Sequence, residues 1–199
     1  MAASSTDICN LALGHLGEAP IVNLGDDDVA ARACSLHYAD TLDEILRSHR
    51  WNFAIKRDTL SSLTPAPAFG WTYRYQLPEE CLRVVEFNGS DAGDWLSSTY
   101  VIEGRELLTN ASSAQVIYVQ RITDVSLFDP LFVKALAVKL AIVLSESMRG
   151  STGKTTELLE LYQSLVAPLA RRIDANEGNR RKGTLPVNSA FVRARRAVV

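Results

Sequence analysis

The sequence is poor in the residues that build metal and redox centres. Its 199 residues hold three cysteines and three histidines. Cys34 and His37 lie three apart on one helical face, but no second Cys/His pair has ligand spacing, and His15 and His49 are isolated, so no metal site is expected. Cys9, Cys34 and Cys81 are odd in number and widely spaced, which fits buried thiols in a reducing compartment better than a disulfide framework. No apolar run reaches the ~18–20 residues of a bilayer span, so no membrane partner is expected. The first residues, Met1 to Asp7, carry neither the charged n-region nor the apolar h-region of a secretory leader. Charge is nearly balanced, with net −2 and a pI of about 5.9. A whole-surface nucleic-acid binder would be clearly basic, so that reading starts weak. What remains is an apolar fraction of 47%, enough for a full core in one domain or one domain with an insertion.

Catalytic and cofactor motifs are also missing. Gly150-Ser-Thr-Gly153-Lys154-Thr155 looks like a phosphate loop, but the first glycine of that motif falls on Met148. The preceding segment is also helical rather than a strand. Asp26-Asp27-Asp28 lacks the spacing and glycine of a calcium loop and reads as acids at a positive helix end. There is no Gly-x-Ser-x-Gly and no locally supported Ser/His or Cys/His pair. No catalytic, cofactor-binding or metal residue is assigned, and the chain is not expected to be an enzyme. Trp51, Phe53, Trp71, Tyr73, Tyr75 and Trp95 could stack nucleobases, but only Lys56, Arg57 and Arg74 interleave them, so a packed sheet is the better reading.

The hydrophobic pattern predicts a helix over 4–16, closed by Gly17 and stopped by Pro20. A second helix is predicted from Asp26–Asp28 to about His49, with Val29, Ala33, Leu36, Ala39, Leu42 and Leu46 as its seam and Asp43 pairing with Arg47. The period then becomes strand-like from Trp51 to Arg57. Short strands over 71–77, 82–87, 100–102, 107–108 and 115–122 predict a small antiparallel sheet. Asp129-Pro130 is a helix start, and twelve of the fourteen residues from Leu131 to Leu144 are apolar, as in a helix buried on most sides. A turn is expected at Gly150–Gly153. The last helix runs to about Asn176, with Leu158, Tyr162, Leu165, Leu169 and Ile173 inward and a kink at Pro168. The fold class is therefore α+β, mainly α, a four-helix core with an antiparallel β insertion and an extended C-terminal arm. Residues 1–50 and 126–178 form the helical core domain, 51–125 the antiparallel β insertion and 179–199 the basic arm.

Charge is segregated along the chain. Residues 1–175 carry 15 Lys+Arg and 22 Asp+Glu, whereas 176–199 carry six positive residues and Glu177 alone. Gly183 to Val187 resists helix and is expected to run extended. Leu185, Val187, Phe191 and Val192 are its apolar anchors, and Arg193, Arg195 and Arg196 would meet carboxylates. A basic arm could instead grip DNA phosphates, which makes a DNA-binding or packaging accessory the alternative reading.

The first fifty-odd residues carry a resemblance. Asn10-Leu-Ala-Leu-Gly14-His-Leu-Gly17-Glu18-Ala-Pro20-Ile-Val-Asn-Leu-Gly25-Asp26, the long helix with Ala30-Ala31-Arg32, and Arg50-Trp51-Asn52-Phe53 resemble the phage tail tubular protein A family, the head–tail adaptors of short-tailed phages. The order of a β insertion, two helices and a C-terminal arm is similar as well. The resemblance implies a structural virion protein of the phage tail or neck, assembled in the host cytoplasm. It implies a homo-oligomeric twelvefold ring below the portal, a channel in transient contact with genomic DNA, a tail nozzle protein beneath and a tail fibre among the partners. Family members dock to the portal partly through their C-terminal segment, which here makes Leu185, Val187, Phe191, Val192, Arg193, Arg195 and Arg196 the portal-binding residues.

Overall fold

The computed structural model describes residues 4–91, 99–149 and 152–178. The fold is α+β and mainly α. In α1 (Ser5–Leu16), the Ser4 hydroxyl accepts from the Asp7 amide at 3.1 Å, satisfying one free N–H of the first turn. Gly17 closes the helix at φ 71°, and the Glu18 amide reaches back to the Leu13 carbonyl at 3.0 Å, a left-handed cap that a side chain would strain. Asn10 then clamps the Pro20 turn: its amide donates to the Ile21 carbonyl at 3.0 Å and its carbonyl accepts from the Ile21 N–H at 2.8 Å.

Asp28 caps α2 (Val29–Ser48) through the Ala30 amide. The buried face of α2 is Ala30, Ala31, Cys34, Thr41, Leu42, Ile45 and Leu46. The expected seam is therefore rotated in the first half, where Val29 is 61% and Leu36 70% exposed. The expected Asp43–Arg47 pair does not form either. Asp43 accepts from Arg121, and Arg47 donates to the Leu82 carbonyl.

A 3-10 turn at Asn52–Ala54 replaces the first half of the expected strand and leads into β1 (Ile55–Leu60). The remaining strands are β2 (Tyr73–Gln76), β3 (Cys81–Phe87), β4 (Ser90–Asp91), β5 (Tyr100–Glu103), β6 (Glu106–Thr109) and β7 (Ala114–Gln120). They form two antiparallel sheets rather than one, in the orders β1-β7-β3-β4 and β2-β6-β5. Tyr75 and Leu107 of the smaller sheet pack against Val84, Phe87, Val116 and Tyr118 of the larger. Each sheet thus buries one face on the other, which alternating strands can do without a helix.

Asp129 caps α3 (Pro130–Arg149) by accepting from Leu131 N–H at 2.7 Å. This helix is the axis of the helical part, touching α1, α2 and α4 (Thr152–Leu161). Gly153 is helical, not part of a turn. A π turn, Tyr162–Val166, joins α4 to α5 (Ala167–Glu177), and the Ala167 amide bonds back five residues to Tyr162. Pro168 has no N–H to give, and the wider turn absorbs that loss. The extra residue rotates the helix by about 100°. Leu165, expected inside, is 54% exposed, and Val166, Ala167, Ala170 and Asp174 take the inner face.

Candidate functional site

The seven residues expected to bind the portal, Leu185 to Arg196, lie outside the described residues, as do Trp95, Gly150 and Ser151. The structure does describe where the arm leaves the body. Asp174, 8% exposed on the last turns of α5, accepts from the Asn52 backbone N–H at 2.9 Å and from His49 Nε2 at 3.2 Å. The Asn52 carboxamide donates to the Asp174 carbonyl. Gly178 then abuts Asn52 so closely that a Cβ there would overlap the Asn52 side chain. This latch ties the end of α5 to the segment after α2, so the arm's point of exit is fixed to the helical core.

Beside the latch is a groove of about 970 Å³ lined by His49, Arg50, Arg57, Asp58, Glu86, Ile117 and Gly178. Arg50 and Arg57 are matched in number by Asp58 and Glu86 in the lining, and the excess of cations comes from Arg47, Arg83 and Arg171 around it. Arg50 pairs with Glu86 at 2.7 Å, and Arg171 donates to the Ser48 hydroxyl at 3.2 Å. Arg47, on the Leu82 carbonyl, sits beside Arg83. Arg83 is half-buried, its Nε has no hydrogen-bond partner, and no carboxylate pairs with it among the described residues. Burial and the neighbouring Arg47 push its pKa down. Arg57 is exposed and makes no ion pair among the described residues. The acidic body therefore has a basic pole where the arm begins. Sequence reading missed it because its cations are scattered over α2, β1, β3 and α5. Asp174 left a fainter signal, an acid four residues beyond Ala170 on an apolar helix face.

The other sequence candidates have structural roles. The Cys34 thiol is buried against Cys9 between α1 and α2, and contact with Cys34 together with burial pushes the Cys9 thiol up, while the hydrogen bond with Cys9 draws Cys34 down. The His37 carbonyl accepts from Thr41. Tyr38, next to this pair, is pushed up to about 12 by burial and the nearby Cys9. Asp26 accepts from the Asn23 amide and Asp27 pairs with Arg32, so two of the three acids shape the turn before α2 and Asp28 caps it. Lys154 pairs with Glu157 at 3.1 Å, and the Thr155 hydroxyl meets Ser145 at 2.7 Å. Those side chains serve α4 rather than a phosphate. Among the described residues no group of three or more His, Cys, Asp or Glu could hold a metal ion. No described helix is long and apolar enough to cross a membrane.

Two histidines make the fold pH-sensitive. Burial lowers the His49 pKa below its ordinary 6.5, with Arg171 and Arg83 adding to the shift and Asp174 opposing it. Burial also lowers that of His15, assisted by Lys154 and Lys134. The unfolded chain therefore takes up protons first as pH falls, and stability present above pH 6.5 is lost below it. The melting temperature is expected to fall between pH 7.5 and pH 5.5, and His15→Gln with His49→Gln should flatten that fall. A flat wild-type profile would count against both assignments.

No family model matches the chain, and no curated protein is significantly similar to it.

Proposed function

We propose that the protein is a structural head–tail adaptor of a phage virion, a ring between portal and tail nozzle around a channel for DNA. The supporting observation is how the family-like residues are used. Asn10 and Gly17 shape the turn that ends α1, and Pro20 follows it. Trp51 joins α2 to the sheet, with its indole N–H on the Ile45 carbonyl at 2.9 Å. These residues of the motif run serve the scaffold, as fits a protein whose work is to hold a shape in a ring. An acidic body suits a channel wall, since repelled DNA slides where phosphate contacts would hold it. The latch at Asp174 gives the arm a fixed root from which to reach the portal.

Electron micrographs of the purified chain, alone and mixed with portal, test this reading. Twelvefold rings seated on the portal are the expected result. The chain ending at Gly178 should melt close to the full chain and no longer cap the portal. Particles that stay monomeric and ignore the portal would sink the proposal.

A further inference from the structure

α2 is covered on one side only. Its inner face packs on α1 and α3, with Ala33 half-buried at the edge of that contact, while the outer row of Val29, Leu36 and Ala39 looks away from the body. Val22, in the loop just before, is 91% exposed, beside Val29 at 61% and Leu36 at 70%. Single exposed apolar side chains are ordinary, but several on one face mark a contact surface. A helix with apolar residues on its outer side as well is built to be covered there too.

Charge identifies what covers it. The outer row is flanked by Asp26, Asp27 and Asp40, all exposed, with Arg32 answering Asp27 alone. The basic pole lies at the other end of the same helix, where Arg50 and Arg57 line the groove, Arg83 lies close to His49 and Arg47 close to Arg83. Twenty residues of α2 separate the two by about 30 Å. One chain cannot bring its own acidic and basic surfaces together, but two copies can.

We propose that the outer face of the first half of α2 docks head to tail on the basic pole of a second copy of this chain. Val29 and Leu36 then lie over the groove, where Ile117 and Ala175 offer apolar contact. Asp26, Asp27 and Asp40 face Arg47, Arg57 and Arg83, which form no ion pair among the described residues, and add counter-charge to that supplied by Asp58 and Glu86 in the groove. Because the two patches differ, the contact is heterologous and closes into a ring when the rotation per copy permits. The inference rests on the ring reading above and assigns the surfaces that build it.

Sedimentation of the full chain at low and high salt tests the contact. Leu36→Glu changes a solvent-exposed side chain and should leave the melt intact. It should weaken assembly by roughly tenfold or more, as should Asp27→Lys with Asp40→Lys, and Arg47→Glu with Arg57→Glu. Mixing the two charge-reversed chains should restore assembly as alternating copies, because the reversed patch of one meets the reversed pole of the other and the two unaltered surfaces still match. A mixture that stays as monomeric as either chain alone would overturn the pairing. If Arg47→Glu disturbs folding by removing the hydrogen bond to Leu82, Leu36→Glu still decides. Rings that form equally well with Leu36→Glu would overturn this surface while leaving the adaptor reading intact. A wild-type chain that stays monomeric even with portal would overturn both. A wild-type chain that stops at a closed dimer would overturn the head-to-tail geometry. Charge reversal at Arg47 and Arg57 that removes duplex DNA binding and spares assembly would make the pole a phosphate site and overturn the proposed interface.

Discussion

Replacing Trp51 with alanine is expected to cost ~3–5 kcal/mol of stability. The side chain is 2% exposed and wedged where three parts of the fold meet. Phe132 of α3 stands edge-on to its ring at 5.0 Å, and His49 does so at 4.8 Å from the other side. Its indole N–H donates to the Ile45 carbonyl at 2.9 Å, in the last turn of α2, where the Ser48 hydroxyl donates to the same oxygen at 2.8 Å. Alanine therefore leaves a ring-sized cavity and removes a hydrogen bond in the cluster that also contains Val119 of the central strand β7. At this chain length the loss corresponds to a fall in melting temperature of roughly 6–20 °C. Phenylalanine keeps most of the packing and loses only the hydrogen bond, so it should cost about 1–2 kcal/mol. Urea titration of the three proteins provides the measurement. Unchanged stability with failed assembly would make Trp51 an interface residue instead.

The packing around Trp51 also shows how much the sequence disclosed. The change of period after His49 correctly marked a junction, and the short apolar periods correctly marked strands. Local signals with local causes were legible: the acids Asp26–Asp28 as the start of α2, Gly17 as a left-handed stop, Asp129-Pro130 as a helix start. The failures came where tertiary partners decide. The outer row of α2 is as apolar as its inner row, so periodicity alone could not say which one faces α3. The last helix kept its period until the π turn added a residue and moved the inner face from Leu165 to Val166. Asp43 had Arg47 at helical spacing, yet Arg121, 78 residues away, reaches it. The basic pole was invisible because Arg83 and Arg171 come to Arg47, Arg50 and Arg57 from distant parts of the chain, and the charge asymmetry in the chain pointed only to the arm. A single sheet was expected because strand signals carry no information on which strands pair. The partition of seven strands between two layers depends on contacts such as Tyr75 with Leu107, far apart in the chain.

Removing the arm's apolar side chains is expected to abolish docking to the portal. On the proposed reading Leu185, Phe191 and Val192 are its main anchors, and an extended peptide whose backbone must be ordered on binding depends on a few such anchors to offset that loss. A single arm should therefore bind weakly, and a ring that repeats the interaction can gain ~10²–10⁴ in avidity without any new one. The same multiplicity amplifies a defect, because a small loss per arm is repeated around the ring. Leu185→Ala, Phe191→Ala and Val192→Ala together should prevent capping of the portal while leaving any DNA affinity intact. Arg193→Gln, Arg195→Gln and Arg196→Gln should only weaken capping, with the larger difference from wild type at low salt, where charge pairs count most. DNA retention gives the contrasting readout. An arm that clamps phosphates would lose DNA binding with the arginine set, and its salt dependence would flatten by about one unit of slope for each phosphate no longer neutralised. Should the apolar set change nothing while the arginine set releases DNA, the arm is a phosphate clamp, and the protein is better read as a packaging accessory than as an adaptor.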